Sequence, residues 1–253
     1  METLILLFAA ALVAGFVDTL AGGGGLITIP ALVLSGMPPH FALGTNKLQS
    51  SIGSGTATFM MFKKGRVGWQ HVRFLMLAAF CGSLLGTIAV QFINPGVLDF
   101  IIPGVLIVIA IYFLFAPPLH ETGISKVSET SYRHFMVPVI GWYDGMFGPG
   151  TGSFFALAGV SLRGHGLIDA TAIAKTLNFA TNIASLLIFL IAGKVVWLAG
   201  LAMMVGQFVG AYCGSLCLLR INPKYLRVLV VTMCLAMLAR YVIASGWFSK
   251  IAF

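Results

Sequence analysis

The chain has 253 residues, of which 59% are hydrophobic and only 9% charged, and its mean hydropathy is +1.00. An average soluble protein is about 25% charged, so a water-soluble globule, a disordered chain and a secreted disulfide scaffold are excluded. What remains is an all-α polytopic membrane protein with room for roughly eight to ten crossings. The net charge of +8 comes from 15 Lys and Arg spread along the chain. No run resembles a basic arm, so the excess marks cytoplasmic loops rather than a nucleic-acid footprint.

The chain opens on an apolar run, residues 4–17, and its first basic residue is Lys47. A signal peptide needs a positive leading region, so this run reads as a retained helix. It belongs to a Gly-interrupted segment over 2–36. Long apolar runs follow at 41–62, 69–92 and 97–116, and residues 117–132 form a polar linker. A second Gly-interrupted segment covers 133–162, with further runs at 167–192, 196–219 and 225–246. Each run is long enough to span a bilayer with some tilt.

The two series are copies of one another. GFVDTLAGGG at 15–24 matches GWYDGMFGPG at 141–150, which aligns Asp18 with Asp144. Two extra residues then enter the second copy, and the offset becomes 128. Lys47 then meets Lys175, Ser50 meets Asn178, Ser54 meets Asn182, and Trp69 meets Trp197. Ile93-Asn94-Pro95 meets Ile221-Asn222-Pro223. The chain therefore divides into a first transmembrane repeat at 1–116, a cytoplasmic linker at 117–132 and a second repeat at 133–253.

Loop charge separates two topologies. If each Gly-interrupted segment crosses once, there are eight spans and parallel repeats. If each turns back as a broken hairpin before three transmembrane helices, the repeats are inverted. Lys47, Lys175 and Arg240 lie inside apolar runs; the other twelve basic residues divide 8 to 4 in the first case and 10 to 2 in the second. In the second, only Lys194 and Lys250 oppose the rest. The positive-inside rule favours the inverted arrangement, with both termini outside.

Ionisable groups at membrane depth mark function by default. Lys47, Ser50 and Ser54 share one helix face, as do Lys175, Asn178 and Asn182. Two such stripes suit an anion with several oxygens. The competing reading has the lysines snorkel to an interface or tie to the aspartates. The turns at Gly22, Gly24 and Gly25 and at Gly148, Gly150 and Thr151 predict helix breaks at matching points of the two halves, the best sequence pointer to a transporter site. Half-helices starting at Gly25 and Thr151 would aim N–H groups inward, and Thr151 and Ser153 add hydroxyls in the second copy. Asp18 and Asp144 stand one turn before the breaks. They can hold the lysines or carry a proton or Na⁺ as coupling ion. Gly82, Gly86, Gly206, Gly210 and Gly214 predict close helix packing, and Trp69 and Trp197 interface anchors. The cysteines read as small apolar packing residues; no metal or cofactor framework is expected.

The stretches GFVDTLAGGGGLITIPAL, ALGTNKLQSSIGSGTA, GWYDGMFGPGTGSFF and AIAKTLNFATN together resemble the sulfite exporter TauE/SafE family of membrane transporters, and most closely its YfcA-like branch. The resemblance covers nearly the whole chain. It implies a secondary transporter that moves a small sulfur-containing oxyanion or organosulfonate (sulfite, thiosulfate or sulfonate class) across the bacterial inner membrane, often outward. It supplies no residue roles, so the site residues rest on the reasoning above. An anion channel of similar selectivity is the alternative that the residues leave open. An intramembrane enzyme is disfavoured, because neither Ser54 nor Ser153 sits in a Gly-x-Ser-x-Gly motif and no His lies deep in an apolar run.

Overall fold

The computed structural model describes residues 1–115 and 123–218, and all of its regular structure there is helical. The 225–246 run, Ile221-Asn222-Pro223, Cys234, the basic residues beyond 218 and the carboxy terminus lie outside the described residues. The helices follow the apolar runs closely: α1 (Glu2–Ala21), α2 (Gly25–Leu34), α3 (Pro39–Lys63), α4 (Trp69–Gln91) and α5 (Pro95–Phe115). The second series opens with a short α6 (Glu129–Ser131) and a π-helical turn (Tyr132–Met136), then α7 (Val137–Met146), α8 (Thr151–Arg163), α9 (Leu167–Ile191) and α10 (Trp197–Cys217). The short α6 and Tyr132 lie within the stretch 117–132 read as the linker.

Local chemistry sets the ends. Gly22, at φ +80°, stops α1, and its N–H donates to the Asp18 carbonyl. Pro39 starts α3, where its missing N–H costs nothing. Gly164, at φ +67°, closes α8. Among the described residues, four helices, α1, α4, α9 and α10, are long and apolar enough to cross a membrane by length and composition. Their lengths of 20–25 residues correspond to about 30–38 Å. The α3 helix is as long but carries a buried polar stripe, including Asn46, Lys47 and Gln49. That stripe lowers its mean hydropathy without shortening it.

Small residues let these helices approach. A Cβ at Gly82 or Gly86 would meet the carbonyls of Pro138 and Trp142, so α4 lies directly on α7. Likewise Gly206, Gly210 and Gly214 face the backbone of Phe8, Leu12 and Phe16 on α1. Residue numbers rise together in both pairs, so α1 runs with α10, and α7 runs with α4. They rise together again for α3 and α10, where Thr45 and Leu48 meet Gly200, and Gly53 meets Gln207. For α3 and α9 they run oppositely: Gly44 meets Phe189, Ser54 meets Asn182, and Gly55 meets Phe179. These two related helices are antiparallel. The related loops after α3 and α9 also separate: Arg66 follows the carboxy end of α3, while the Lys194 carbonyl sits against Gly44 near its amino end.

The outer faces are apolar, with Leu77, Leu85, Leu198 and Phe208 all exposed. Trp69 and Trp197, the first residues of α4 and α10, are more than half exposed, as interface anchors require. Cys81 and Cys213 are exposed rather than packed inside. On a lipid-facing surface a thiol behaves as a small apolar group.

Candidate functional site

The two helix breaks meet. A side chain at Gly22 would strike the backbone of Gly152 and Ser153, and one at Gly25 would lie 3.1 Å from Pro149 Cα. Positive φ and close approach together leave only glycine at position 22. The half-helices begin at Gly25 and Thr151, as the sequence predicts. In the first break Asp18 Oδ1 accepts from the Gly24 N–H at 3.1 Å. In the second, the Thr151 hydroxyl donates to the Gly148 carbonyl at 2.8 Å and the Ser153 hydroxyl to the Ala21 carbonyl. Those two hydroxyls therefore brace the breaks.

Both lysines are paired, and the pairs cross between repeats. Lys47 Nζ donates to Asp144 Oδ2 at 2.8 Å and to the Asp144 carbonyl at 2.6 Å. Lys175 Nζ donates to Asp18 Oδ2 at 3.0 Å. Neither lysine snorkels, since each is only 1% exposed. Asp144 is equally buried, whereas Asp18 is 18% exposed. A lone charge at this depth is prohibitively costly, and each pair removes one such charge.

A cavity of about 290 Å³, counting space open to solvent, lies among these groups. Asp18, Gly22, Gly25, Lys47, Ser50, Asp144, Gly148, Asn178 and Asn182 line it, together with Asn46. Of the residues singled out from sequence, Gly24, Ser54, Gly150, Thr151, Ser153 and Lys175 are not among its lining, and Lys175 reaches the cavity only through its bond to Asp18. Ser54 sits just behind, donating to the Ser50 carbonyl at 2.6 Å and accepting from Asn182 Nδ2 at 3.3 Å. Asn178 Oδ1 accepts from Asn182 Nδ2 at 3.3 Å. Asn178 is thus tied through its oxygen.

Sequence reasoning missed Asn46. It weighed polar positions shared by both repeats, and the counterpart of Asn46 is Ala174. The available signal was a polar residue beside Lys47 inside an otherwise apolar run.

Comparison with known proteins agrees with this picture. The family model described as sulfite exporter TauE/SafE matches residues 7–241. A "Probable membrane transporter protein" of Haemophilus influenzae is 41% identical over 248 residues, covering 98% of this chain and 97% of that one. A "Probable membrane transporter protein ORF9" of a Sinorhizobium species is 43% identical, covering 94% and 91%. The "Probable membrane transporter protein YfcA" of Escherichia coli K12 is 42% identical, covering 92% and 87%. No solved structure matches.

Proposed function

From a chain that belongs to the sulfite exporter TauE/SafE family, and so is a multi-pass membrane transporter rather than an enzyme, we propose a secondary transporter of a small sulfur-containing oxyanion. It moves sulfite, thiosulfate or a sulfonate outward across the bacterial inner membrane. The observation that carries this reading is the pair of crossed lysine–aspartate bridges around one polar cavity at the junction of two broken helices. An oxyanion can replace a carboxylate on an ammonium group, because both present oxygen acceptors to the same donors.

The substrate contacts are Lys47, Ser50, Asn178 and Asn182, which line the cavity, with Lys175 reaching the site through its bond to Asp18 and the glycine turns allowing close approach. Asp18 and Asp144 couple transport to a proton or Na⁺. With Asp144 ionised, its carboxylate competes with the substrate for Lys47. A proton on Asp144 removes the competitor, so anion and proton binding become linked.

We assign inverted repeats to this transporter. Support comes from the antiparallel contact of α3 with α9 and from Arg66 and Lys194 lying at opposite ends of α3. The shared direction of α1, α3 and α10 also requires α2 to turn back. Introduced cysteines test this: Arg66→Cys and Lys194→Cys should react with an impermeant thiol reagent from opposite sides. Reaction from the same side would return the eight-span, parallel arrangement.

The functional test is uptake by purified protein in liposomes over sulfite, thiosulfate, sulfate, sulfonates and carboxylates. Sulfur oxyanions should be preferred, and substrate on the far side should accelerate flux, as a carrier requires. A preference for hydrophobic cations would overturn the proposal.

A further inference from the structure

The lysines and aspartates are the same residue types in both repeats, so their charges alone give the cavity no chemical direction. A further difference between the repeats is a buried polar triad present in the first alone. Thr28, three residues into α2, stands where α8 has Phe154, and Asn46 and Gln49 on α3 correspond to Ala174 and Leu177 in the second. All three first-repeat residues are buried, at 0%, 3% and 0% exposure.

The triad is organised around one atom. Asn46 Oδ1 accepts from the Thr28 hydroxyl at 2.6 Å and from Gln49 Nε2 at 2.7 Å. Gln49 Nε2 also donates to Ser50 Oγ at 2.9 Å, a residue that lines the cavity. An amide side chain has one acceptor oxygen and two N–H donors. With the oxygen taken up by two donors, the NH₂ is the group of Asn46 left for the cavity it lines. Among the described residues, Gln49 Oε1 is buried with no partner. Unsatisfied groups of this kind are rare and call for an explanation. Here both Gln49 donor contacts go to orienting Asn46 and Ser50, and the orphaned oxygen is the consequence.

We infer that Asn46 is a substrate-recognition residue that donates an amide N–H to an oxygen of the bound oxyanion, from the first-repeat side of the cavity only. Thr28 and Gln49 are positioning residues that hold its donor inward. The substrate accordingly sits off the pseudo-twofold centre, toward α2 and α3. This inference rests on the oxyanion-transport reading above and deepens it.

The test is calorimetric titration of sulfite and thiosulfate into the full-length protein in lipid nanodiscs. Asn46→Asp keeps the shape and the oxygen that Thr28 and Gln49 bond, but removes the N–H. It should bind both anions at least about tenfold more weakly, the scale of a lost hydrogen bond to a charged group. Asn46→Ala should do the same and serves if the aspartate variant fails to fold. Gln49→Leu should weaken binding less, and should have no further effect when added to Asn46→Ala. A merely structural role for Gln49 would instead give independent losses. Wild-type affinity in Asn46→Ala would overturn this inference alone. Absence of any anion binding by the unaltered protein would overturn the oxyanion reading and this inference with it.

Discussion

The two lysine–aspartate bridges are copies in sequence and different in setting. Lys47 and Asp144 are each 1% exposed and share two hydrogen bonds, one through the Asp144 carbonyl. Lys175 meets an Asp18 that is 18% exposed and already holds the Gly24 N–H. One bridge is a closed internal tie, and the other is a tie with an open edge that also caps a helix break. A duplicated transporter can therefore carry two pairs of identical residues that do different work. The surroundings, rather than the charges, divide the labour.

The largest expected effect lies at the junction of the breaks. Gly22→Ala puts a Cβ against the backbone of Gly152 and Ser153 at a positive φ, where nothing flexible can give way. Folded protein should be lost, as read by monodispersity after extraction. Its counterpart Gly148→Ala meets the Lys47 side-chain terminus at 3.3 Å, which can move. Gly148 also has a positive φ of +93°, so that variant carries backbone strain without the backbone collision and should retain more folded protein than Gly22→Ala. Equal tolerance at both positions would mean that the breaks do not pack as described.

The bridges come next. Lys47→Met leaves Asp144 buried and uncompensated, and breaking such a pair costs about 3–5 kcal/mol. Lys175→Met should cost less, because Asp18 has access to solvent. Adding Asp144→Leu to Lys47→Met should recover most of the lost thermal stability. If the single Lys47 variant is as stable as the double, the closed bridge is not holding the fold.

These outcomes bear on what the sequence made legible. The half-helix starts at Gly25 and Thr151 could be read directly, because glycine runs inside apolar segments have few other uses. The polar stripes of α3 and α9 could be read from helical spacing. The partners of the lysines could not. Lys47 stands 97 residues from Asp144 and Lys175 stands 157 from Asp18, and only the crossing of the two repeats selects these pairs over the alternatives within a repeat. The hydroxyls of Thr151 and Ser153 stand beside a break, where the sequence alone leaves their partners open. Their bonds to the Gly148 and Ala21 carbonyls depend on how closely the breaks meet. Asn46 escaped because a repeat-based search discards positions where one copy is apolar.

A smaller and more selective effect is expected at the aspartates. Asp144→Asn should abolish accumulation driven by a pH gradient while sparing exchange at equal pH, because Lys47 then stays available to the anion at every pH. Asp18→Asn should lose less, since Lys175 sits beside the more open pair. Liposome flux with and without a gradient reads both. Loss of anion binding itself in Asp144→Asn would make that carboxylate a structural tie. Gradient-driven accumulation unchanged in both variants would remove the aspartates from coupling.

The smallest expected effect concerns the turns that join each returning half-helix to the next span. In the second repeat this turn carries His165, whose counterpart in the first is Met37. His165 shares a pocket with His71, Glu129, Tyr132 and Arg163. Burial, then Arg163 and His71, hold its pKa below the ordinary histidine value, against weaker opposing pulls from Asp169 and Glu129. The neighbouring 123–128 strap is held to α8 by Lys126 and Val127 N–H bonds to the Leu162 carbonyl and by Arg163 bonds to Ser125 and Val127. A histidine with a depressed folded pKa adds stability above its unfolded value of about 6.5, and that contribution fades as pH falls toward the folded value. Amide exchange in residues 123–128 and 163–166 should therefore quicken modestly between pH 7.5 and 5.5, and His165→Gln should flatten the change. The first-repeat turn at 35–38, with Met37 in place of the histidine, should show no such dependence. Equal pH sensitivity at both turns would place its source outside this pocket.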